Sequence, residues 1–206
     1  MPTPPRHPSL HRDDAREYVP HKRVRRPFAV PHQVIVVLTL SLSPHHQRLS
    51  GVTRIEAGVA RSDTGRLRLT YRLFGDLDEV AIAPAQAATR TDELWKHTCF
   101  EAFVAVVDGY YEYNLSPSGQ WAAYRFDTYR EGMREAAHPD PQIAWDGKGE
   151  LTALIHLPPD ATGSLGISAV IEATDGSRSY WALAHPPGAP DFHNAACFTA
   201  ELPPAD

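Results

Sequence analysis

Cysteine is nearly absent: Cys99 and Cys197 are the two thiols in 206 residues. They cannot form the disulfide framework on which small secreted domains depend, so both read as buried thiols in a hydrophobic core. Long apolar runs are missing as well. The strongest, Val34 to Leu42, falls far short of the ~20 residues that span a bilayer. It follows a lead containing acidic residues and several prolines, so it fits a β-branched first strand better than a signal peptide, and the chain reads as cytoplasmic. Excess positive charge is lacking too. With 20 Lys and Arg against 25 Asp and Glu, the net charge is −5 and no basic stripe runs among the aromatic strands, which argues against a nucleic-acid partner. Methionine is scarce, Met133 being the internal one, and long helical periods are missing. Nineteen prolines and many short β-rich runs indicate an all-β chain.

The most informative stretch runs from Leu94 to Arg130 and reads as three consecutive antiparallel strands. Asp108-Gly109 between two β-rich runs is a strong hairpin signal, since a type I′ turn needs positive φ at both central residues. With those two residues as the loop, Ala105 is expected opposite Glu112 and Phe103 opposite Asn114. Side chains alternate between faces. One face then collects Phe100, Ala102, Val104, Val106, Tyr111, Tyr113 and Leu115, all apolar or aromatic, as a core requires. The other mixes Cys99, Glu101, Phe103, Tyr110, Glu112, Asn114 and Ser116. The next turn, Ser116-Pro-Ser-Gly-Gln120, is ambiguous in length. A four-residue loop, Pro117 to Gln120, sets Glu112 opposite Arg125, so that opposite charges meet across strands. It also brings Trp121 onto the polar face and sends Tyr124 and Phe126 to the core.

Taken in order, residues 1–32 are rich in Pro, Arg and His without apolar period and read as a disordered extension, its basic Lys22 to Arg26 run as a solvated tail. Strands are expected at Gln33 to Ser43, Val52 to Arg61 and Arg66 to Phe74. In the last, Leu67, Leu69, Tyr71 and Leu73 alternate with Arg and Thr, a half-buried pattern. A short strand follows at Val80 to Ala83, then a loop or helical turn, Pro84 to Glu93, that delivers Trp95. Gln142 to Trp145, Glu150 to Leu157, Leu165 to Thr174, Ser179 to Ala184 and Ala195 to Leu202 complete about a dozen strands, and 203–206 form a tail. Strand count alone allows sandwich or barrel.

Four segments carry a resemblance: Leu94-Trp95-Lys-His-Thr-Cys-Phe-Glu101; Tyr111-Glu112-Tyr-Asn114 through Trp121-Ala-Ala-Tyr-Arg125; Tyr129-Arg130-Glu-Gly-Met; and Tyr180-Trp181-Ala-Leu-Ala-His185 through Asp191-Phe-His193. Over roughly Gln33 to Leu202 the chain resembles the DOMON-like ligand-binding domains, which are similar to family 9 carbohydrate-binding modules. The resemblance implies a two-sheet antiparallel β-sandwich that binds sugars or haem.

Flat rings beside a few fixed polar groups are what a neutral sugar requires. The candidate ligand-binding residues are therefore Trp95, Glu101, Glu112, Asn114, Trp121, Arg125, Tyr129, Arg130, Trp181, His185 and His193, in a non-catalytic module without cofactor or metal. Other chemistries rank below. Haem, ligated by Met133 with His97 or His185, is the alternative that the family offers. Glu101 and Glu112 supply the two carboxyls of a glycan-acting enzyme, but from the floor of one sheet rather than across a bond. Cys99 with His97 is a conceivable thiolate pair. His185, Asp191 and His193 have metal-ligand chemistry without an established zinc spacing.

Overall fold

The structure, a computed structural model, describes residues 37–45, 51–62 and 64–204; the extension expected at 1–32 lies outside the described residues. Among the described residues twelve strands form: β1 Leu38–Pro44, β2 Val52–Arg61, β3 Arg66–Gly75, β4 Cys99–Val106, β5 Gly109–Leu115, β6 Trp121–Phe126, β7 Arg134–Glu135, β8 Gln142–Trp145, β9 Glu150–His156, β10 Ala161–Glu172, β11 Arg178–Ala182 and β12 Ala200–Glu201. Eleven are hydrogen-bonded in the order β7-β6-β5-β4-β10-β11-β1-β2-β3-β9-β8, and β12 pairs with β10. All of these pairings are antiparallel. Among the described residues no helix is long and apolar enough to cross a membrane.

The all-β, antiparallel expectation holds, with one sheet continuous through β1. Leu38 to Leu42 pair with β2, while Ser43 and Pro44 pair with β11. The sheet curls until its inner surfaces meet. Leu67, Leu69 and Tyr71 of β3, buried as their alternation requires, pack in one core cluster with Phe100, Ala102 and Val104 of β4 and Leu115 of β5. The Tyr71 ring lies 4.9 Å from that of Phe100, and its hydroxyl donates to the Glu101 carbonyl at 2.7 Å. Two expected strands are shorter than their sequences suggest. Val80 makes an isolated bridge to Ala173, and Ala195–Cys197 is a 3-10 turn ahead of β12.

Both informative hairpins depart from the expected register, with different consequences. In the first, Val106 pairs with Gly109, Phe103 with Glu112 and Glu101 with Asn114, so the loop is Val107-Asp108. Glu93 and Arg130 are the non-glycine residues of positive φ among those described, so Val107 and Asp108 do not form a type I′ turn. Gly109 takes φ +125 instead, and a side chain there would run into the Phe126 carbonyl and the Arg125 guanidinium. The pairing has slipped by two, which returns every side chain to its expected face.

The second hairpin pairs Leu115 with Trp121, Tyr111 with Arg125 and Glu112 with Tyr124 around a five-residue loop. That slip of one exchanges the faces of β6. Trp121 and Ala123 enter the core, while Ala122, Tyr124 and Phe126 join a second apolar cluster with Phe103, Tyr110, Val170 and Phe192. The five-residue loop is held from outside the hairpin. Gln86 N donates to the Ser118 carbonyl at 2.8 Å, Thr91 N to the Trp121 carbonyl at 2.8 Å, and the Gln120 side chain to Thr91 Oγ1 at 2.8 Å.

Candidate functional site

The outer face of β4, β5 and β6 forms the floor of a cavity of about 700 Å³. Glu101 and Glu112 stand on it beside Phe103, Tyr124 and Phe126. Val170 of β10 and Tyr180 of β11 extend the wall; Pro190, Phe192 and His193 close it from the segment after β11; and Arg130, Met133, Arg134 and Glu135 border it beyond β6. Trp95 stands on the rim, 47% exposed, on a 3-10 turn over Leu94–Lys96. That turn starts from Glu93 at φ 63, and Arg130, also in the lining, has φ 57. Both described non-glycine residues of positive φ therefore line this cavity, and such conformations persist where the surroundings fix them.

The two carboxyls are nearly excluded from solvent, at 3% exposure for Glu101 and 6% for Glu112. Each is anchored through one oxygen. Ser168 Oγ donates to Glu101 Oε2 at 3.0 Å, and Asn114 Nδ2 donates to Glu112 Oε1 at 2.6 Å. Burial, joined by the neighbouring Glu112 charge, pushes Glu101 well above the usual carboxylate range. Burial likewise raises Glu112, against the Asn114 hydrogen bond and the Arg130 charge.

His193 completes the wall as a neutral base: burial, aided by the Arg130 charge, lowers it to about 4. The Tyr110 hydroxyl accepts from Arg130 N at 3.2 Å and is hydrogen-bonded to His193 Nδ1 at 2.8 Å. His193 Nε2 lies 3.7 Å from Glu112 Oε2. That contact is a neutral approach rather than an ion pair.

Of the residues expected from sequence, Trp95, Glu101, Glu112, Arg130 and His193 line the cavity. Asn114 lies behind it as the anchor of Glu112. Tyr129 is half-exposed and donates to Asp191 Oδ2 at 2.7 Å; Arg130 donates to Asp191 Oδ1 at 2.8 Å. Asp191 thus clamps the loop after β6 to the segment after β11. Burial would raise its carboxyl, but these two hydrogen bonds together with the neighbouring charge of Arg130 hold it low.

Four more of the expected residues lie outside the cavity. Trp121, 5% exposed, and Trp181, 1% exposed, belong to the main core, where Trp181 Nε1 donates to Ser179 Oγ at 3.0 Å. Arg125 is not the partner of Glu112. It lies over the Tyr111 ring at 5.2 Å and donates to the Asp108 carbonyl at 2.5 Å, because the five-residue loop put it on the Tyr111 face. His185 bonds the Ser43 carbonyl at 2.8 Å and does not line the cavity.

The remaining alternatives also come apart in space. Met133 lines the cavity, whereas neither His97, which bonds Glu172 at 2.8 Å, nor His185 does. Cys99 is fully buried with its thiol against Asn114 Oδ1 at 3.7 Å, and burial pushes that thiol well up. Arg90, Asp92, Tyr124, Phe126, Tyr180 and Phe192 were missed. Tyr124 and Phe126 carried a signal, the alternation of β6, that the wrong loop length reversed. The Arg90 and Asp92 positions depend on the pairing of residues 86–91 with the 118–121 turn, which leaves no local pattern.

No protein-family model matches the chain, and no curated protein shows significant similarity to it. Among solved structures it is similar to the crystal structure of a candidate carbohydrate-binding protein from Bacteroides uniformis ATCC 8492, with TM-score 0.57 and 15% identity over 81% of this chain and 85% of that one. The two proteins share a fold.

Proposed function

We propose that this protein is a non-catalytic module that binds a small carbohydrate-like ligand in the cavity over β4, β5 and β6. The observation that carries the reading is the composition of that cavity: buried, anchored carboxyls on the floor and the rings of Trp95, Tyr124, Phe126, Tyr180 and Phe192 around them. Rings take the C–H faces of a sugar, and fixed polar groups set its orientation. The carbohydrate-binding name of the Bacteroides uniformis protein supports the same ligand class. The finer assignment, a DOMON-like sandwich similar to family 9 carbohydrate-binding modules, belongs to this proposal and is supported by the Leu94–Glu101, Tyr111–Arg125 and Tyr180–His193 motifs. Glu101 and Glu112 rise from adjacent strands of one floor, which favours binding over hydrolysis.

Calorimetry of the purified protein against a panel of mono- and oligosaccharides tests the reading. At least one sugar is expected to bind, and Trp95→Ala to weaken it about tenfold, the factor that corresponds to ~1.4 kcal/mol. Binding to no sugar in a broad panel would overturn the carbohydrate reading.

A further inference from the structure

The charges around the cavity nearly all have partners. Arg90 meets Asp92 at 2.9 Å and Glu135 at 3.2 Å, Arg130 meets Asp191 at 2.8 Å, Arg134 meets Asp127 at 2.7 Å, and Glu93 at the rim holds Lys96 at 2.6 Å. With these pairs matched, Glu101 and Glu112 are left over, the two most deeply buried carboxyls of the lining. Neither forms a salt bridge with Arg or Lys among the described residues. Each also keeps one oxygen uncommitted. Ser168 occupies Glu101 Oε2 and Asn114 occupies Glu112 Oε1, and neither Ser168 nor Asn114 lines the cavity. Glu101 Oε1 accepts no hydrogen bond from a described residue, and Glu112 Oε2 has only the His193 Nε2 approach at 3.7 Å. Both anchors therefore draw one oxygen away from the cavity and leave the other to it.

Two carboxyls more than nine-tenths buried, each with an open oxygen and no protein cation, form an arrangement that a ligand completes. We propose that the ligand carries an ammonium group, received between Glu101 and Glu112, so that the preferred carbohydrate is an amino sugar with a free amine. An ammonium brings three donors and one positive charge, which suits two open oxygens and the charge left over on the floor. Phe103, Phe126 and Tyr180 line the same cavity, and a ring face within ~6 Å of a cation favours it further. Arg130 does not fill this role. Its Nη2 is held by Asp191, and although its charge favours the ionised forms of both glutamates, no hydrogen bond reaches either. Burial raises both carboxyls, and the Glu112 charge raises Glu101 further, a condition that a bound ammonium relieves.

The inference rests on the carbohydrate reading for the body of the ligand, and the experiment separates the two. Oligomers of glucosamine, the matching N-acetylglucosamine oligomers, glucose oligomers and putrescine are titrated into the full chain by calorimetry at a pH where the amines are protonated. The free-amine oligomer is expected to bind at least tenfold more tightly than its N-acetylated and neutral counterparts. Glu101→Gln and Glu112→Gln are each expected to remove most of that preference with little change in the unfolding curve. Equal or tighter binding of the N-acetylated or neutral oligomer by the wild-type protein overturns the ammonium site and leaves the carbohydrate reading standing. Putrescine binding that depends on both glutamates, without binding of any sugar, keeps the ammonium site and overturns the carbohydrate reading. Binding of none of the four overturns the ammonium site and leaves the carbohydrate reading to the broad panel, and because the wild-type comparison decides, a misfolded variant does not obscure the result.

Discussion

One face of the β4–β5–β6 meander turns Phe100, Ala102, Val104, Tyr113, Leu115 and Trp121 into the main core; the other turns Glu101, Phe103, Glu112, Tyr124 and Phe126 toward the cavity. Both faces are almost wholly buried and both carry polar atoms. On the core side the polar atoms are mostly spent within the protein: the Tyr71 hydroxyl on the Glu101 carbonyl, the Tyr113 hydroxyl on the His156 carbonyl at 2.9 Å. The Trp121 indole N–H is an exception, and nothing in the structure explains it. On the cavity side the carboxyls are half-spent by design of their anchors. A buried polar group with one committed atom and one open atom marks the place where a partner is expected, and burial alone does not distinguish the two faces.

The comparison is broken most strongly from the core side. Trp181→Ala should cost about 3 to 5 kcal/mol, the range for truncating a buried tryptophan, read from urea unfolding. A loss below ~1 kcal/mol would mean that Trp181 is not the core residue its 1% exposure makes it.

A smaller effect sharpens the cavity side. Glu101 and Glu112 have folded pKa values raised above their unfolded ones, so the native state binds protons more tightly and stability falls as pH rises through the raised values. His193, lowered to about 4, acts oppositely, but only below its unfolded value of about 6.5. From about pH 6.5 to 8, below the range of unfolded thiols, the carboxyl pair should therefore dominate. The melting temperature should drop across that window, and the Glu101→Gln/Glu112→Gln double variant should flatten the drop. An unchanged slope in the double variant would show that the pair is solvated.

The smallest stability effect belongs to Trp95→Ala. At 47% exposure Trp95 stands outside both clusters, and its truncation should change unfolding by no more than about 0.5 kcal/mol. A Trp181-sized loss would move Trp95 from the cavity rim to the scaffold.

Much of this architecture was readable from residue order, because alternation is a local property. The Leu67-Leu69-Tyr71-Leu73 face and the faces of β4 and β5 followed from period two alone, and they survived a turn misplaced at Asp108-Gly109 because an even slip preserves parity. The third strand failed for the complementary reason. One residue of loop length decided whether Arg125 or Tyr124 faced the cavity, and that residue was decided by Gln86 and Thr91, some thirty positions upstream of the loop they hold. The candidate site inherited the same division. Glu101 and Glu112 were found on β4 and β5, whereas Trp121 and Arg125 were misplaced with β6. The partnership of Asp191 with Tyr129 and Arg130 joins segments about sixty residues apart, and no spacing announces it.

The two outermost strands in the sheet order, β7 and β8, are consecutive along the chain. Laid flat, ten gaps of about 4.8 Å would hold them roughly 48 Å apart. Seven steps of chain from Glu135 to Gln142 reach at most about 25 Å. The segment is thus a bowstring too short for a straight bow, and the bend that gathers the core is imposed by connectivity before any side chain packs.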